Sequence, residues 1–354
     1  MKLTVATKDL SDALKRVQAC VKKVDTILGH VLLEATVDGG LTISGTDLIR
    51  EVKLRVAANV SVPGSRTAHA QLLTGFAGYA PGEIVQIVLH EGKLHVKSGS
   101  ARASVPSLAP EAYYSAISAQ SEGEHFKLSP LFLAAWNNIS FCTNGVTKPF
   151  LGGVYVYPSE RSWVSVSSTG IALMETKLDA PESTTALPPI IIPKESVQLA
   201  SALFPDGCDL SVSKNTVTFS NDDSIMATLL LEGPWFEAYV KQIEPGNHTV
   251  KVDRKRFLKG INFVKRTEDK FTISCSESSL KLHSGRGDGA RAADELTCDG
   301  SLPFDIVIQA EYFAPIIEAL HGDILTMNFT DNVKPIIMSS ESLGTIGVAW
   351  PRRF

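Results

Sequence analysis

The chain has 354 residues, of which 44% are hydrophobic and 20% are charged, a composition that is ordinary for a folded protein and excludes a disordered one. Its formal net charge of −4 excludes a protein that coats nucleic acid by bulk attraction, although local basic surfaces remain possible. The length exceeds what one hydrophobic core usually organises, so two or three domains are expected.

The start of the chain and its cysteines indicate a cytoplasmic protein without a metal site. Met1 to Leu10 is charged by Lys8 and Asp9, and it lacks the apolar run of a signal peptide. No other segment approaches the roughly 18 apolar residues of a membrane span. The five cysteines are scattered singly, without the paired spacing that is typical of metal ligands. We therefore expect reduced thiols, no cofactor, no metal and no membrane association.

In chain order, the same series of elements is predicted three times. Each series opens with a short alternating strand that runs into a helix, and three stretches fit this description. They begin at Leu3, Phe126 and Val250, and the expected helix caps are Thr7, Ser129 and Asp253. The first helix of the opening repeat is predicted to extend from Lys8 to Lys23.

A second helix recurs in each series, followed by a turn and further alternating strands. The second helices are predicted at Ala70 to Tyr79, Lys194 to Leu203 and Ala310 to Leu320. Polar or turn-rich linkers separate the series at Ser115 to Gly123 and at Gln242 to Asn247. The pattern predicts one α+β unit used three times, with domains at residues 1–122, 123–245 and 246–354.

The first helices of the first and third repeats are basic within an acidic chain. Such segregation indicates a surface that faces phosphate groups, although a solvated helix face is an open alternative. The middle repeat has no charged residue from Ser129 to Asn144, so two nearby lysines would supply its share. The predicted DNA-facing residues are Lys15, Lys22, Lys23, Lys148, Lys194, Arg254, Lys255, Lys259 and Arg266.

Four local stretches, together with the threefold repeat, carry a resemblance to a known family. They are MKLTV at Met1–Val5, LTISGTDL at Leu41–Leu48, IIIPK at Ile190–Lys194 and GVAWPRRF at Gly347–Phe354. These stretches resemble the beta subunit of bacterial DNA polymerase III, the sliding clamp, over nearly the whole chain. In that family the final strand is followed by Met-Pro-x-Arg-Leu.

The resemblance implies an α+β fold of three repeated clamp domains, each with two helices packed on antiparallel sheets. Two chains would form a ring, as a head-to-tail homodimer around double-stranded DNA, and would give a polymerase processivity without catalysing a reaction. The dimer contact would join the first domain of one chain to the third domain of the other, with Ala101–Leu108 opposite Val264–Ser274. The predicted interface residues are Ala103, Val105, Leu108, Val264 and Phe271.

The resemblance also implies protein partners, namely the catalytic subunit of DNA polymerase III, the clamp loader and other proteins with a clamp-binding motif. They would bind through a short peptide in a cleft between the second and third domains, where an apolar groove suits a linear motif. Packing between domains is the open alternative for the aromatic residues. The predicted cleft residues are Leu151, Gly170, Ile171, Leu173, Lys241, Tyr312, Val333, Pro335, Val348, Ala349, Trp350, Pro351, Arg352, Arg353 and Phe354.

The chain departs from the family pattern in the middle domain. The family commonly has Thr-Asp-Gly-His-Arg-Leu where this chain has STGIAL at Ser168–Leu173, so Ile171 and Ala172 replace a His-Arg pair. Lys148 and Lys241 stand near positions where the family often has arginine, and lysine cannot reproduce the bidentate geometry of arginine. The departure predicts an altered preference among partners.

Two other functions stay open. One is an enzyme whose active site lies in an interdomain cleft, although no nucleophile elbow or glycine-rich phosphate loop stands out. The other is a clamp-like ring that serves as a docking platform for repair polymerases or other DNA enzymes. Intrinsic turnover would favour the enzyme, and the peptides that bind the cleft would separate the two ring functions.

Overall fold

The structure is a computed structural model, and it describes residues 1–24, 26–113, 115, 123–146, 148–182, 186–234, 243, 246–285, 289–341 and 344–352. The helices within these ranges are α1 Thr7–Val17, α2 Ala70–Tyr79, α3 Pro130–Ile139, α4 Lys194–Leu203, α5 Arg254–Val264 and α6 Ala310–Ala319. The strands pair antiparallel, which confirms the α+β class.

The strands divide among the three repeats in chain order. Those of the first repeat are β1 Lys2–Ala6, β2 His30–Thr36, β3 Gly40–Thr46, β4 Arg50–Val56, β5 Ala58–Val62, β6 Gly64–His69, β7 Ile84–His90, β8 Lys93–Ser98 and β9 Ala101–Val105. Those of the second are β10 Glu124–Leu128, β11 Gly153–Ser159, β12 Ser162–Ser168, β13 Ala172–Asp179, β14 Ile190–Pro193, β15 Cys208–Val212, β16 Thr216–Ser220 and β17 Ser224–Leu229. Those of the third are β18 His248–Asp253, β19 Lys270–Ser276, β20 Ser279–Ser284, β21 Ala292–Asp299, β22 Ile306–Gln309, β23 Ile324–Phe329, β24 Ile336–Ser340 and β25 Thr345–Ala349.

The first helix of the opening repeat is shorter than the sequence predicted. Helix α1 ends at Val17, which is its last fully buried residue, and a short 3-10 turn at Gln18–Cys20 follows. Val21 is already extended. Lys22 and Lys23 therefore lie beyond the helix, and the prediction of one continuous basic helix was wrong.

Two of the predicted helix caps can be compared with the structure. Asp253 caps α5, because its Oδ1 accepts a hydrogen bond of 2.7 Å from the backbone N–H of Arg256. Thr7 is not a cap, since α1 follows Ala6 and the Thr7 hydroxyl donates to the Gly82 carbonyl instead. That bond, 2.6 Å long, ties the start of α1 to the turn after α2.

One compact unit comprises Met1–Leu133, Pro181–Ala186 and Gln198–Leu230. It holds a five-stranded sheet of order β5-β1-β7-β8-β9 and an eight-stranded sheet of order β10-β15-β16-β17-β4-β3-β2-β6. Helix α1 packs against α2, β3 and β4, and the side chains of Leu10 and Leu14 are fully buried in that contact. Burial of this apolar stripe holds the helix on the sheets.

The other compact unit comprises Ala134–Ala180, Leu187–Val197 and Leu231–Phe354. Its twelve-stranded sheet has the order β14-β11-β12-β13-β25-β24-β23-β18-β21-β20-β19-β22. Helix α5 packs on α6, β20 and β21. The ring of Phe313 lies edge-on to Phe257 and Phe271, with centroids 6.3 Å and 6.2 Å away, so three aromatic rings form the centre of this core.

The strand order shows the same two ladders in every repeat. One ladder runs from the opening strand to β9, β17 or β25, and the other runs from the strand before the second helix to β4, β13 or β21. In the first unit β17 pairs with β4, and in the second unit β25 pairs with β13. The middle repeat thus shares a sheet with each neighbour, which explains two compact units in a chain of three repeats. The predicted domain boundaries, after residues 122 and 245, adjoin residues outside the described ranges and stay predictions.

Candidate functional site

A small hydrophobic cluster lies where β13 pairs with β25. The cluster combines buried and half-buried side chains. They come from the middle repeat, from residue 243 and from the end of the described chain. They are Val164, Val166, Leu173 and Val348, with Tyr157, Ile243 and Trp350 packed against them. The backbone N–H of Trp350 donates to the Ile171 carbonyl at 3.2 Å, which ties the chain end to the turn before β13. These half-buried apolar groups form a surface that an apolar peptide side chain can cover.

The turn beside this cluster, residues 168–172, is fixed by two hydroxyl groups. The Ser168 hydroxyl donates to the Ala172 carbonyl at 2.8 Å and accepts from the backbone N–H of Gly170 at 3.0 Å. The Thr169 hydroxyl accepts from the N–H of Ala172 at 3.1 Å. Gly170 has φ +91°, a conformation that favours glycine. The turn therefore holds Ile171 in place beside Leu173.

The same turn recurs in the first repeat, within the GTDL stretch that carried part of the family resemblance. The Thr46 hydroxyl donates to the Arg50 carbonyl at 2.9 Å and accepts from the N–H of Leu48 at 3.1 Å. There Asp47 also holds the Arg50 guanidinium, with contacts of 2.7 Å and 3.0 Å. Ala172 occupies the position of Arg50, so the middle-repeat turn keeps the backbone geometry and lacks the charged side chain.

The structure brings together four of the predicted cleft residues, namely Ile171, Leu173, Val348 and Trp350. Sequence reasoning missed Tyr157, Val164, Val166 and Ile243, although the apolar alternation at Trp163–Val166 signals a buried strand face.

The other predicted cleft residues have different surroundings. Leu151 and Ala349 are buried, Tyr312, Pro335 and Pro351 are half-buried, and Val333 is exposed. The Arg352 guanidinium donates twice to the Gln309 side chain, at 2.7 Å and 2.9 Å, which fixes the tail beside β22. Lys241, Arg353 and Phe354 lie outside the described residues.

The predicted DNA-facing residues divide by exposure. Seven are exposed and two, Lys194 and Arg254, are half-buried. Arg254 does not face solvent as predicted, because its guanidinium donates to the Gly322 carbonyl at 2.7 Å and to the Ile317 carbonyl at 3.1 Å. It links the start of α5 to the end of α6. Lys8, which the predicted set omits, stands in α1 where Lys255 stands in α5, and both are exposed.

A bidentate ion pair joins α5 to β21. Arg256 Nη1 and Nη2 lie 2.6 Å and 2.7 Å from the two carboxylate oxygens of Asp294. The hydrogen bonds from Arg256 hold the pKa of Asp294 below its ordinary value, and they raise the pKa of Arg256 in turn. The pair positions the strand and removes one arginine from the basic surface of α5.

Replacing Asp294 with Asn should lower the free energy of unfolding at neutral pH by about 1 kcal/mol, since the pair is partly exposed. The pKa of Asp294 is lowered in the folded protein. The stabilisation by the ion pair is therefore fully present above the pKa of the unfolded carboxyl, and it is lost as the pH falls through the pKa of the folded one. Urea unfolding of both proteins at one concentration measures the difference. A difference that stays constant from about pH 5 to about pH 3 would contradict the role of the pair.

Three of the five predicted dimer residues, Val105, Val264 and Phe271, are buried within the chain. Val264 and Phe271 are buried in the core of the third repeat, so that part of the prediction was wrong. On the other predicted edge, Val105 is buried, Ala103 is half-buried and Leu108 is exposed. The neighbour of Val264, Phe263, has 49% of its surface exposed and is a more suitable apolar contact.

Two strands, β9 and β21, each end one of the repeated ladders and leave an edge unpaired over most of its length within the described ranges. Strand β9 ends its sheet and pairs only with β8. Strand β21 pairs with β20 along its length, and it meets β18 only through Cys298 and Asp299. Open edges present unpaired backbone N–H and carbonyl groups that can pair with another chain.

Comparison with known proteins bears directly on this architecture. A family model described as the N-terminal domain of the DNA polymerase III beta subunit matches residues 1–117. The beta sliding clamp of Caulobacter vibrioides is 25% identical over 360 residues, covering 96% of this chain and 95% of that protein. That of Escherichia coli K12 is also 25% identical, with both chains fully covered. The chain is therefore similar along nearly its whole length to the bacterial beta sliding clamps.

Solved structures of sliding clamps share the fold of this chain throughout. A sliding clamp of Bartonella birtlesii, solved with griselimycin bound, has a TM-score of 0.93 at 23% identity, with 100% of both chains covered. The beta subunit of DNA polymerase III from Thermotoga maritima has a TM-score of 0.90 at 19% identity. The fold of three repeated clamp domains, expected from the resemblance, is confirmed.

The described residues also bear on membrane-spanning helices and on metal sites. None of its described helices is long and apolar enough to cross a bilayer. Within the described ranges, no group of three or more His, Cys, Asp or Glu side chains is arranged to hold a metal ion.

Proposed function

We propose that this chain is a DNA sliding clamp, a non-enzymatic ring of two head-to-tail copies that encircles double-stranded DNA and tethers a polymerase to it. The observation that carries the proposal is the repeated edge pairing. The last strand of one ladder joins the last strand of the other at two internal junctions, β17 to β4 and β25 to β13. Of these last strands, β9 and β21 have no such partner within the described part of the chain. If β9 of each copy pairs with β21 of the other copy, the same junction forms twice more and closes the ring.

The internal junctions also predict the register of this pairing. Glu51 lies opposite Ala227 at one junction, and Leu173 lies opposite Val348 at the other. The strand pairings of the ladders show which residues hold equivalent positions in the three repeats. Ser104 of β9 is equivalent to Ala227 of β17 and Val348 of β25. Arg291, just before β21, is equivalent to Glu51 of β4 and Leu173 of β13. The predicted register therefore places Ala292 opposite the partner's Ala103.

Helix ends support the same closure. At one internal junction Arg16 of α1 donates to the carbonyl of Leu203, and at the other Asn138 of α3 donates to the carbonyl of Ala319, at 3.1 Å and 2.9 Å. Each acceptor is the last residue of a second helix, and both are almost fully buried.

The positions equivalent to these residues remain uncovered at the open ends. Counted from the helix starts, Asn262 matches Asn138, Phe263 matches Arg16, and Tyr79 matches Leu203 and Ala319. Tyr79 has 78% of its surface exposed and Phe263 has 49%, whereas Leu203 and Ala319 have 2% and 8%. Two large exposed rings at these positions are the expected appearance of a junction that a second chain completes.

Charges on the open edges favour the pairing of unlike strands. Arg102 is exposed on β9, and Glu295 is exposed on β21. An arginine side chain opposite a strand that carries an exposed carboxylate is favourable, whereas β21 against a second β21 would bring like charges together. This complementarity supports a head-to-tail arrangement.

The exposed lysines suit a protein that slides. Lys15, Lys255 and Lys259 are long, solvated cations that can contact phosphate oxygens without reading bases. Such contacts are weak and depend on salt, so a ring would be retained by its topology rather than by affinity. The cluster around Leu173 and Trp350 would take the peptide of a polymerase, a clamp loader or another partner.

Two measurements on one sample test the proposal. Light scattering should give a mass near twice 38.1 kDa. After loading by a clamp loader with ATP, the protein should stay on nicked circular DNA and be released when the circle is cut. A stable monomer, or equal retention on circular and linear DNA, would contradict encirclement.

A docking ring for repair enzymes or other DNA enzymes is the second candidate. The uncharged turn at residues 168–172 favours it, because Ala172 leaves the cleft without the arginine that the family commonly has two residues after the turn glycine. Binding of peptides from the replicative polymerase and from repair polymerases to the same sample distinguishes the two. Preference for the replicative peptide supports the first candidate.

A further inference from the structure

Two cysteine thiols of the third repeat lie side by side at the end of β21 that pairs with β18, beyond the part of β21 opposite the partner's β9. Cys275 is near the end of β19 and Cys298 is near the end of β21, and their sulfur atoms are 3.3 Å apart. Both cysteines are reduced in the structure. Thiols in contact across two strands need only a small approach of the sulfurs to become covalently linked.

The backbone on both sides holds the two cysteines in position. The N–H of Cys298 donates to the Ser278 carbonyl at 3.2 Å, and the N–H of Leu302 donates to the Cys275 carbonyl at 3.0 Å. Gly300, between them, has φ +115°, and a Cβ there would lie 2.1 Å from the Thr249 carbonyl oxygen. Only glycine therefore permits this close return of the chain past Cys275.

Shared acceptors orient the two sulfurs towards one point. The Gly300 carbonyl accepts from Cys275 Sγ at 3.4 Å and from Cys298 Sγ at 3.7 Å. The Ser276 carbonyl lies 3.6 Å from both sulfurs. Both sulfurs therefore lie within reach of the same two carbonyl groups, to either of which one thiol can donate.

We propose that Cys275 and Cys298 form a peroxide-sensitive thiol pair, which oxidises to a reversible disulfide between β21 and the end of β19. Cys298 is half-buried and Cys275 is buried, so the peroxide meets Cys298 first. Burial raises the pKa of the Cys275 thiol to about 12, and its hydrogen bond with Cys298 adds to the rise.

The chemistry is balanced with one peroxide. The Cys298 thiolate attacks a peroxide oxygen, the O–O bond breaks, and a sulfenic acid forms as hydroxide leaves. The Cys275 sulfur then attacks the sulfenic sulfur, so that an S–S bond forms while the S–O bond breaks. The second hydroxide takes the proton of Cys275. The two thiols lose two electrons and two protons, and the peroxide becomes two waters.

The experiment treats the full chain with hydrogen peroxide and compares intact mass and non-reducing peptide maps. We expect a mass loss of two hydrogen atoms, a linked peptide pair containing residues 275 and 298, and reversal by dithiothreitol. The oxidised protein should melt about 5 °C higher, because a link between prepositioned thiols restricts the unfolded chain. A mass gain of oxygen without linked peptides, or a link that lowers the melting temperature, would overturn the proposal.

Three variants separate this pair from the other thiols. Cys298→Ser should form no link and leave Cys275 unmodified, whereas Cys275→Ser should accumulate a sulfenic acid at Cys298 that dimedone captures. Cys208→Ser is the matched control, because Cys208 and Cys275 each have 8% of their surface exposed. It should link like the wild type. Loss of the link in the Cys208→Ser variant, or a link in Cys298→Ser, would identify a different pair and contradict the assignment.

Discussion

Phe263→Asp should be a monomer at concentrations where the wild type is a dimer, and it should not remain on circular DNA. The residue is half-exposed on α5, at the position where α1 contacts the end of α4 inside the chain. A carboxylate there would be desolvated against the partner's Tyr79 without a cation to pair with it. We expect the dimer dissociation constant to rise about 100-fold. Light scattering over a concentration series, followed by retention on nicked circles, measures both effects.

Two control variants separate this effect from a general one. Phe263→Leu keeps an apolar side chain and should remain a dimer. Val37→Asp places the same charge on an exposed valine in a turn away from both open edges, and it should behave as the wild type does. If Phe263→Asp retains the wild-type dimer constant while it is folded by circular dichroism, closure through β9 and β21 is wrong.

Trp350→Ala should weaken binding of a clamp-binding peptide at least tenfold while the ring and its retention on DNA are unchanged. Trp350 is half-buried against Leu173 and Val348, and removal of a large aromatic anchor from such a cluster typically costs about 2 kcal/mol of binding free energy. Isothermal titration with a peptide from the polymerase of the same organism measures the change.

A companion variant distinguishes an anchor from a packing residue. Trp350→Phe preserves most of the apolar contact and should lose only a few-fold in affinity, with the free energy of unfolding unchanged. If Trp350→Ala lowers the stability of the free protein and leaves peptide affinity intact, then Trp350 packs the end of the chain and belongs to no binding surface.

Periodicity and turn residues in the sequence were sufficient to predict the second helices. The bounds predicted for α2 and α4 match the structure, and α6 ends one residue earlier than predicted. Pro-Gly or Gly-containing turns follow each of these helices, so the end of the apolar pattern coincides with a breaker. The first helices lack such a marker. Lys22 and Lys23 continue a helical pattern of charge, and only the structure shows that the chain has already turned at Cys20.

Hydrogen bonds over long sequence distances could not be predicted in this way. The sequence predicts Arg254 as a solvent-facing cation, because its two carbonyl acceptors lie 63 and 68 residues further along the chain. The pairing of β4 with β17 could not be predicted from the sequence either. Alternation of apolar residues shows which face of a strand is buried, but not which strand lies beside it. The family resemblance supplied the general arrangement, and the registers supplied the position of the open edges.

The repeated junctions have a consequence for how such proteins diverge. Two ladders of backbone hydrogen bonds join the repeats, and peptide groups are the same whatever side chains they carry. Substitutions can therefore accumulate along β4, β13, β17 and β25 without separating the repeats, which fits a conserved fold at 25% identity. If closure uses the same ladder, two diverged copies in one cell are not kept apart by their main chains. Whether a chain pairs with an identical copy or with a diverged one then depends on a few side chains such as Phe263 and Tyr79. Selection against mixed rings would act on those positions.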